Sequence, residues 1–236
     1  MRSRVAVDEA TSAGDVLDAL AAEVFSGVRG RARLAPLIER FDVEVGKLDQ
    51  DDPDFEQLQL VRMDWALCDA TIPGAKPGDT WAWRAIHGDV HADMHADVHA
   101  DMHGERPGTP APSWSAAARS IAGLFEVFPG EPAWVRDRLS GVVLRLFDSI
   151  GPWPHAPVDE SAALWELRLV PDDAGGFRIA RPPIDYPDDL LRLLERELPK
   201  RFGVPAWPTL QDVRRARLRH RRVGGRTPLI RLLRLR

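Results

Sequence analysis

Histidine recurs at every fourth position of one segment of the chain. The five residues are His87, His91, His95, His99 and His103. Residues four apart lie on the same face of an α-helix, one turn from each other. Neutral imidazole rings at this spacing suit borderline metal ions such as Zn, Ni or Cu. The repeat therefore predicts a transition-metal-binding segment in which neighbouring histidines share an ion.

The length of the repeat limits what kind of metal site it can form. His87 and His103 would be about 24 Å apart along a helix, so they cannot meet on one ion. We therefore expect two histidine pairs with separate ions, as in sequestration or metal-bridged assembly, rather than one catalytic centre. Two other interpretations stay open. Histidine titrates near pH 6.5, so the repeat could sense pH, or it could be an expanded repeat without a ligand.

Arginine dominates a second segment, residues 201–236, which holds 11 arginines against one acidic residue, Asp212. The six candidate binding residues within it are Arg214, Arg215, Arg217, Arg219, Arg221 and Arg222. Arginine-rich helices bind phosphate backbones by charge neutralisation, which predicts nucleic acid as one partner. Residues 1–200 carry 35 acidic residues against 21 basic ones, so an acidic protein surface is the competing partner. That surface could belong to this chain, to a second copy in a homo-oligomer or to another protein.

A third pattern involves Asp159, Glu166 and Arg168 in the stretch DESAALWELR. It resembles the PD-(D/E)xK nuclease motif, in which an aspartate and a glutamate hold Mg²⁺. The resemblance implies metal-dependent cleavage of nucleic acid by Asp159 and Glu166. Arg168 stands where that family has lysine, and arginine does not readily lose a proton to activate water. The alternative is a strand with outward-facing ion pairs.

Other catalytic patterns are missing from the sequence. It contains no G-x-S-x-G, no P-loop, no dinucleotide-binding glycine motif and no C-x-x-C. The single cysteine, Cys68, lies on the apolar side of a predicted helix, where it is a small core residue. We therefore expect a protein that works by binding rather than by catalysis.

Hydrophobic spacing predicts the elements that would position these residues. Helices are predicted over residues 13–26, from near Leu34, from Asp52 to about Ala70, and from Ser113 or Ser115 to about Phe128. The stripe formed by Trp134, Val135, Leu139, Val142, Val143, Leu146, Phe147 and Ile150 predicts a further long helix. Residues 163–170 and 177–181 alternate and predict a β-hairpin. Thr209 is the expected N-cap of the arginine helix.

These elements define a mainly α-helical fold, packed as a bundle with one small β-hairpin, in one domain of two lobes. Residues 1–105 form a helical lobe that ends in the histidine helix, and residues 106–112 form a proline-rich linker. Residues 113–208 form a helical lobe with the hairpin at about 163–181. Residues 209–236 form the basic C-terminal segment, whose deletion should leave the rest of the protein folded.

Compartment and membrane contact follow from what the sequence lacks. One cysteine excludes an intrachain disulfide. The N-terminal residues have no apolar run typical of a signal peptide, and no segment approaches the roughly 18 apolar residues of a membrane span. We expect a cytoplasmic protein without membrane contact. The leading hypothesis for its function is metal binding. The alternative is a role as a subunit of a nucleoprotein or multiprotein assembly, and the third hypothesis is nuclease activity.

Overall fold

The computed structural model describes residues 12–87, 112–147, 163–173, 175–187, 190–191, 193–197 and 208–233. Helices cover one side of a small, strongly curled β-sheet. The helices are α1 Ala13–Phe25, α2 Gly27–Glu44, α3 Phe55–Asp64, α4 Trp81–Ile86, α5 Pro112–Ala118, α6 Leu210–Arg222 and α7 Leu229–Leu232. Two π-helical turns span Trp65–Asp69 and Leu193–Glu197. None of the helices in these ranges is long and apolar enough to cross a membrane.

Six strands form one sheet with antiparallel pairing. They are β1 Ile121–Phe128, β2 Trp134–Asp137, β3 Val143–Arg145, β4 Ala163–Pro171, β5 Phe177–Ile179 and β6 Ile184–Asp185. The order is β3-β2-β1-β4-β5, and β6 pairs with β4 as well. Just beyond β3, Leu146 forms a parallel bridge to Phe177, and the Phe147 N–H donates to the Phe177 carbonyl at 2.8 Å. The sheet therefore curls into a partly closed barrel.

The expectation of a mainly α-helical bundle with one small hairpin is wrong, because this six-stranded sheet is a major part of the fold. The helix expected to reach Phe128 ends at Ala118, and β1 follows it. The long helix expected from Trp134 is replaced by β2, a turn and β3. The hairpin expected at about 163–181 is confirmed by the pairing of β4 with β5.

The stripe from Trp134 to Phe147 follows a period of two once its turn is recognised. Val135 is buried in the barrel interior, and Leu144, opposite it on β3, packs against the same cluster. Their neighbours Trp134 and Val143 are exposed. The turn between the strands is fixed by Asp137, whose carboxylate accepts from the backbone N–H groups of residues 139 and 140 at 3.1 Å each. Short apolar runs cannot separate helix from strand by periodicity alone.

Strand β4 is covered on both sides because successive side chains point to opposite faces. Trp165, Leu167 and Leu169 fill the barrel interior together with side chains from the neighbouring strands. Leu164 and Val170 belong to the separate core that the helices form against the outside of the barrel. On that outer face, Glu166 and Arg168 lie between the two apolar residues and are buried. The fold thus places charged side chains at the interface between helices and sheet.

Cys68 lies in the helical core, as its position on the predicted helix indicated. Its thiol is buried and contacts the Ala117 carbonyl at 3.7 Å. Burial raises the pKa of the Cys68 thiol to about 12. The thiolate is the reactive form of cysteine, so Cys68 is unsuited to nucleophilic chemistry at neutral pH.

Candidate functional site

The centre of the helix–sheet interface is a buried ion pair between β4 and α6. Arg214 donates from Nε and Nη2 to one oxygen of Glu166 at 2.8 and 2.7 Å. The Tyr186 hydroxyl donates to the other Glu166 oxygen at 2.8 Å. Burial and the adjacent Glu166 charge raise the pKa of Tyr186 well above its usual value. Tyr186 therefore stays protonated and serves as a hydrogen-bond donor that helps to stabilise the Glu166 charge, which Arg214 neutralises.

Two further arginines attach the sheet to the helices. Arg168 on β4 pairs with Asp69, with one of its two hydrogen bonds at 3.0 Å, and donates to the Ser120 hydroxyl at 3.1 Å. Arg181, between β5 and β6, binds Asp64 through two hydrogen bonds of 2.9 Å and also pairs with Asp18 at 2.7 Å. Each paired carboxylate compensates a guanidinium that would otherwise be buried at high cost.

A small cleft lies among these residues, between α3, β4 and α6. Its charged lining residues are Asp64, Glu166, Arg168, Arg181 and Arg214. Each of the five forms an ion pair with another side chain of the protein. The arrangement therefore serves to hold the helices on the sheet, and it leaves no uncompensated charge in the cleft for a ligand.

Helix α6 begins as the sequence predicts. The Thr209 hydroxyl accepts from the Asp212 N–H, and the Asp212 carboxylate accepts from the Thr209 N–H, which is a capping box. The apolar residues Val213, Ala216 and Leu218 of this helix belong to the helical core. An arginine-rich helix is thus an integral part of the folded protein.

The arginines of α6 contact an acidic loop of the same chain, at residues 49–54. Arg217 is buried, pairs with Asp54 at 2.8 Å and donates to the Asp185 carbonyl at 2.9 Å. Arg222 donates from Nε and Nη2 to the two oxygens of Asp52 at 2.6 Å each. Arg221 lies 3.6 Å from Asp54. These contacts have the sign expected from the charge difference between the two parts of the sequence.

The remaining two arginines of the predicted set differ from each other. Arg215 donates to the Glu44 carbonyl of α2 and lies 3.3 Å from Asp212. Arg219 is exposed. Five of the six candidate binding arginines thus contact oxygen atoms of the same chain. Binding of nucleic acid or of an acidic partner protein by this segment stays a prediction, and Arg219 is its most available member.

The Asp52–Arg222 contact makes stability depend on pH. Hydrogen bonding from Arg222 holds the pKa of Asp52 below its usual value of 3.8, although burial opposes this. A carboxyl whose pKa is lower in the folded state stabilises that state when ionised. We expect the contribution of this contact to the free energy of unfolding to be constant from pH 7 to about 5 and to be lost as the pH falls below about 4. Urea unfolding at each pH measures this change.

The variant Asp52→Asn tests that assignment, because its amide cannot titrate. Its free energy of unfolding should fall less between pH 5 and pH 3 than that of the unmodified protein. Asp51→Asn is the matched control, since Asp51 is an exposed neighbour in the same loop. If Asp52→Asn and Asp51→Asn respond to acid equally, the pH dependence does not come from the Arg222 contact.

His87 is the one member of the histidine repeat within the described ranges. It directly follows α4, is exposed, and has Nδ1 2.8 Å from the Trp83 carbonyl oxygen. Its ring stacks on the Trp83 ring with 4.0 Å between centroids. The other four, His91, His95, His99 and His103, lie outside the described residues. Within the described ranges, no three His, Cys, Asp or Glu side chains form a group that could hold a metal ion.

The nuclease-like pattern is only partly within the structure. Glu166 and Arg168 lie on β4, in the strand that the sequence predicts. Both oxygens of Glu166 already accept hydrogen bonds, from Arg214 and Tyr186. Asp159 lies outside the described residues. The surroundings of Glu166 give no support to a Mg²⁺ site at this carboxylate.

Sequence reasoning missed an exposed surface on the barrel, which carries Trp134, Arg145 and Phe147. The sequence analysis expects Trp134 and Phe147 in the buried stripe of a helix and assigns no role to Arg145. The sequence signal for an exposed strand is the alternation of Val143, Leu144 and Arg145 after a glycine. That glycine, Gly141, lies in the turn between β2 and β3 with φ of +78°.

No protein-family model matches the chain, and no curated protein or solved structure matches it. The basis for a functional conclusion is therefore the chemistry of the side chains and their arrangement on this fold.

Proposed function

We propose that the protein binds transition-metal ions through its His-x3-His segment, with His87 as the first ligand. The observation that supports this proposal best is the hydrogen bond between His87 Nδ1 and the Trp83 carbonyl, 2.8 Å long. A carbonyl oxygen can only accept, so Nδ1 carries the proton in the neutral ring. The lone pair is then on Nε2, the nitrogen available to a metal ion.

This arrangement is typical of histidines that bind metals. Such residues commonly donate their second ring N–H to a carbonyl or carboxylate, which fixes the tautomer and the ring orientation. Stacking on Trp83 restricts the His87 ring further. Because His87 is exposed, an ion can reach it without rearrangement of the core.

The sequence supplies the further ligands at the same spacing, in His91, His95, His99 and His103. Two histidines from neighbouring positions leave coordination positions of an ion such as Zn²⁺ or Ni²⁺ to be filled by water, carboxylate or a second chain. We therefore propose binding of more than one ion per chain, without catalysis, and with self-association when a second chain completes the coordination.

Isothermal titration calorimetry with ZnCl₂ and NiCl₂, combined with native mass spectrometry, tests the proposal. We expect more than one ion per chain, and weaker binding below about pH 6, because protonated imidazole cannot coordinate a metal. The variant with alanine at positions 91, 95, 99 and 103 should lose this binding. His87→Ala should lower the affinity of one ion only.

The matched control is His155→Ala, which removes a histidine outside the repeat. Its metal binding should equal that of the unmodified protein. If the fourfold alanine variant takes up Zn²⁺ and Ni²⁺ as the unmodified protein does, the proposal is wrong. Equal losses in His155→Ala and the fourfold variant would also contradict it.

A further inference from the structure

The outer face of strands β2 and β3 carries aromatic and basic side chains in alternation. Trp134 is paired with Arg145 across the two strands, and Arg136 is paired with Val143. Directly opposite residues on neighbouring strands share a face of the sheet. Trp134, Arg136, Val143 and Arg145 therefore lie together on the side opposite to the barrel interior, and all four are exposed.

Two more rings extend this surface, which we call the β2–β3 face. Phe128 lies on β1, the other neighbour of β2, and is paired with Trp134. The Arg136 guanidinium lies over the Phe128 ring, 5.4 Å from its centroid. Phe147 lies two residues after Arg145 and is 48% exposed. Trp134 itself is 43% exposed, which is unusual for the largest apolar side chain. The face thus offers aromatic rings beside guanidinium groups.

The available cation on this face is Arg145. Among the described residues, no carboxylate forms an ion pair with Arg145. Arg136 is 46% exposed and lies 3.8 Å from Glu126, which also binds Arg138 at 3.1 Å. Arg138 also pairs with Glu195 at 2.6 Å, so the two arginines are matched by two carboxylates. The local excess of positive charge contrasts with the net charge of −4 for the whole chain.

We propose that the β2–β3 face binds single-stranded nucleic acid. A base stacks on Trp134, while Arg145 neutralises a phosphate. Arg136 and Phe147, whose ring carries the Arg178 guanidinium at 5.0 Å, extend the surface on either side. Exposed rings combined with a cationic surface are the pattern that holds unpaired bases without sequence preference. Bases within a duplex are stacked on each other and cannot offer their faces to these rings.

The alternation along β3 also fits an extended ligand. Every second side chain points to the same side of an extended chain, at intervals of about 7 Å. The side chains on the outer side here are Val143, Arg145 and Phe147. A purely protein-binding face would bury its apolar residues at the centre and place charges at the rim. Here the cations lie between the rings. This site differs from the metal site proposed above and from α6, so each can be tested separately.

Fluorescence anisotropy with labelled 12-nucleotide dT and rU oligonucleotides at 50 mM salt tests the proposal. The unmodified protein should bind both and should bind a duplex of the same length more weakly. Trp134→Ala should weaken binding by about 5- to 100-fold, which corresponds to the loss of one stacked base. Arg145→Glu should weaken binding and reduce the slope of log Kd against log salt by about 0.7.

Val28→Ala is the control for Trp134→Ala, because Val28 is an exposed apolar residue, at 76%, on α2 and away from both proposed sites. Arg119→Glu, another exposed arginine, is the control for Arg145→Glu. Both controls should bind as the unmodified protein does. Trp134 and Arg145 are exposed, so their variants should keep the melting temperature of the parent.

Three results would overturn the proposal. The first is that the unmodified protein binds neither oligonucleotide at 50 mM salt. The second is that Arg219→Glu with Arg226→Glu abolishes binding while Trp134→Ala leaves it intact, which would place the site on the C-terminal segment. The third is that Trp134→Ala changes only the oligomeric state, which would make this face a protein interface.

Discussion

Replacing Arg214 with alanine is expected to lower the free energy of unfolding by about 3–5 kcal/mol. Arg214 provides the cation for Glu166, and both side chains are buried between α6 and β4. Without Arg214, the Glu166 charge remains in an environment that excludes water and keeps only the Tyr186 hydroxyl as a partner. Urea unfolding at pH 7, followed by circular dichroism, measures the loss.

Arg219→Ala is the matched control within the same helix. Arg219 is exposed, so its removal should change the free energy of unfolding by no more than about 0.5 kcal/mol. A double variant, Arg214→Ala with Glu166→Gln, separates the charge from the packing. Because the glutamine is uncharged and still accepts from Tyr186, the double variant should be more stable than Arg214→Ala alone. A double variant less stable than the single one would contradict the argument.

Removing residues 209–236 is expected to abolish cooperative folding. The deletion takes away α6 and α7, whose Val213, Leu218 and Leu229 are part of the helical core. It also leaves Glu166 and Asp52 buried without their arginine partners. The loss of the buried Arg214 partner alone is of the order of several kcal/mol, and with the loss of core burial it is comparable to the whole stability of a typical domain. A thermal scan of a chain ending at residue 208 should show no cooperative transition.

The control for the truncation keeps the helices and removes exposed charge. A full-length variant with Arg219, Arg226 and Arg231 replaced by alanine should melt cooperatively within a few degrees of the unmodified protein, since all three are exposed. The sequence suggested that the basic segment is separable from the rest. A truncated chain with a sharp melting transition would restore that interpretation.

Local signals predicted the starts of helices well. Ser12 caps α1 and Thr209 caps α6, each with an aspartate three residues later that completes a capping box. These signals lie within four residues, so they can be read without knowing the tertiary structure. The helix expected from Asp52 begins at Phe55 instead, because Asp54 has a left-handed backbone conformation, with φ of +63°, that cannot be part of an α-helix.

The sheet could not be predicted in the same way. The hairpin of β4 and β5 is local, whereas β1 pairs with β4 across 36 to 48 positions. The stripe from Trp134 onward contains enough apolar residues to satisfy either a helical or a strand period. What distinguishes the two is the pairing with β1, which depends on residues distant in the sequence.

The opposite charges of the two parts of the sequence made carboxylates one of the two predicted partners of the arginine segment, beside nucleic acid. They could not indicate which carboxylates, since Asp52, Asp54 and Glu166 are spread over more than 100 positions. The histidine repeat was evident from spacing alone. The exposed β2–β3 face was not, because exposure of Trp134 follows from the register of the strands.

The ion pairs of α6 have a consequence for how fast the protein folds. Arg222 and Asp52 are 170 positions apart, and Arg217 and Asp54 are 163 positions apart. Contacts over such separations slow folding, because a long loop must close before the contact contributes. We therefore expect docking of α6 onto the 49–54 loop to be a late and slow step of folding.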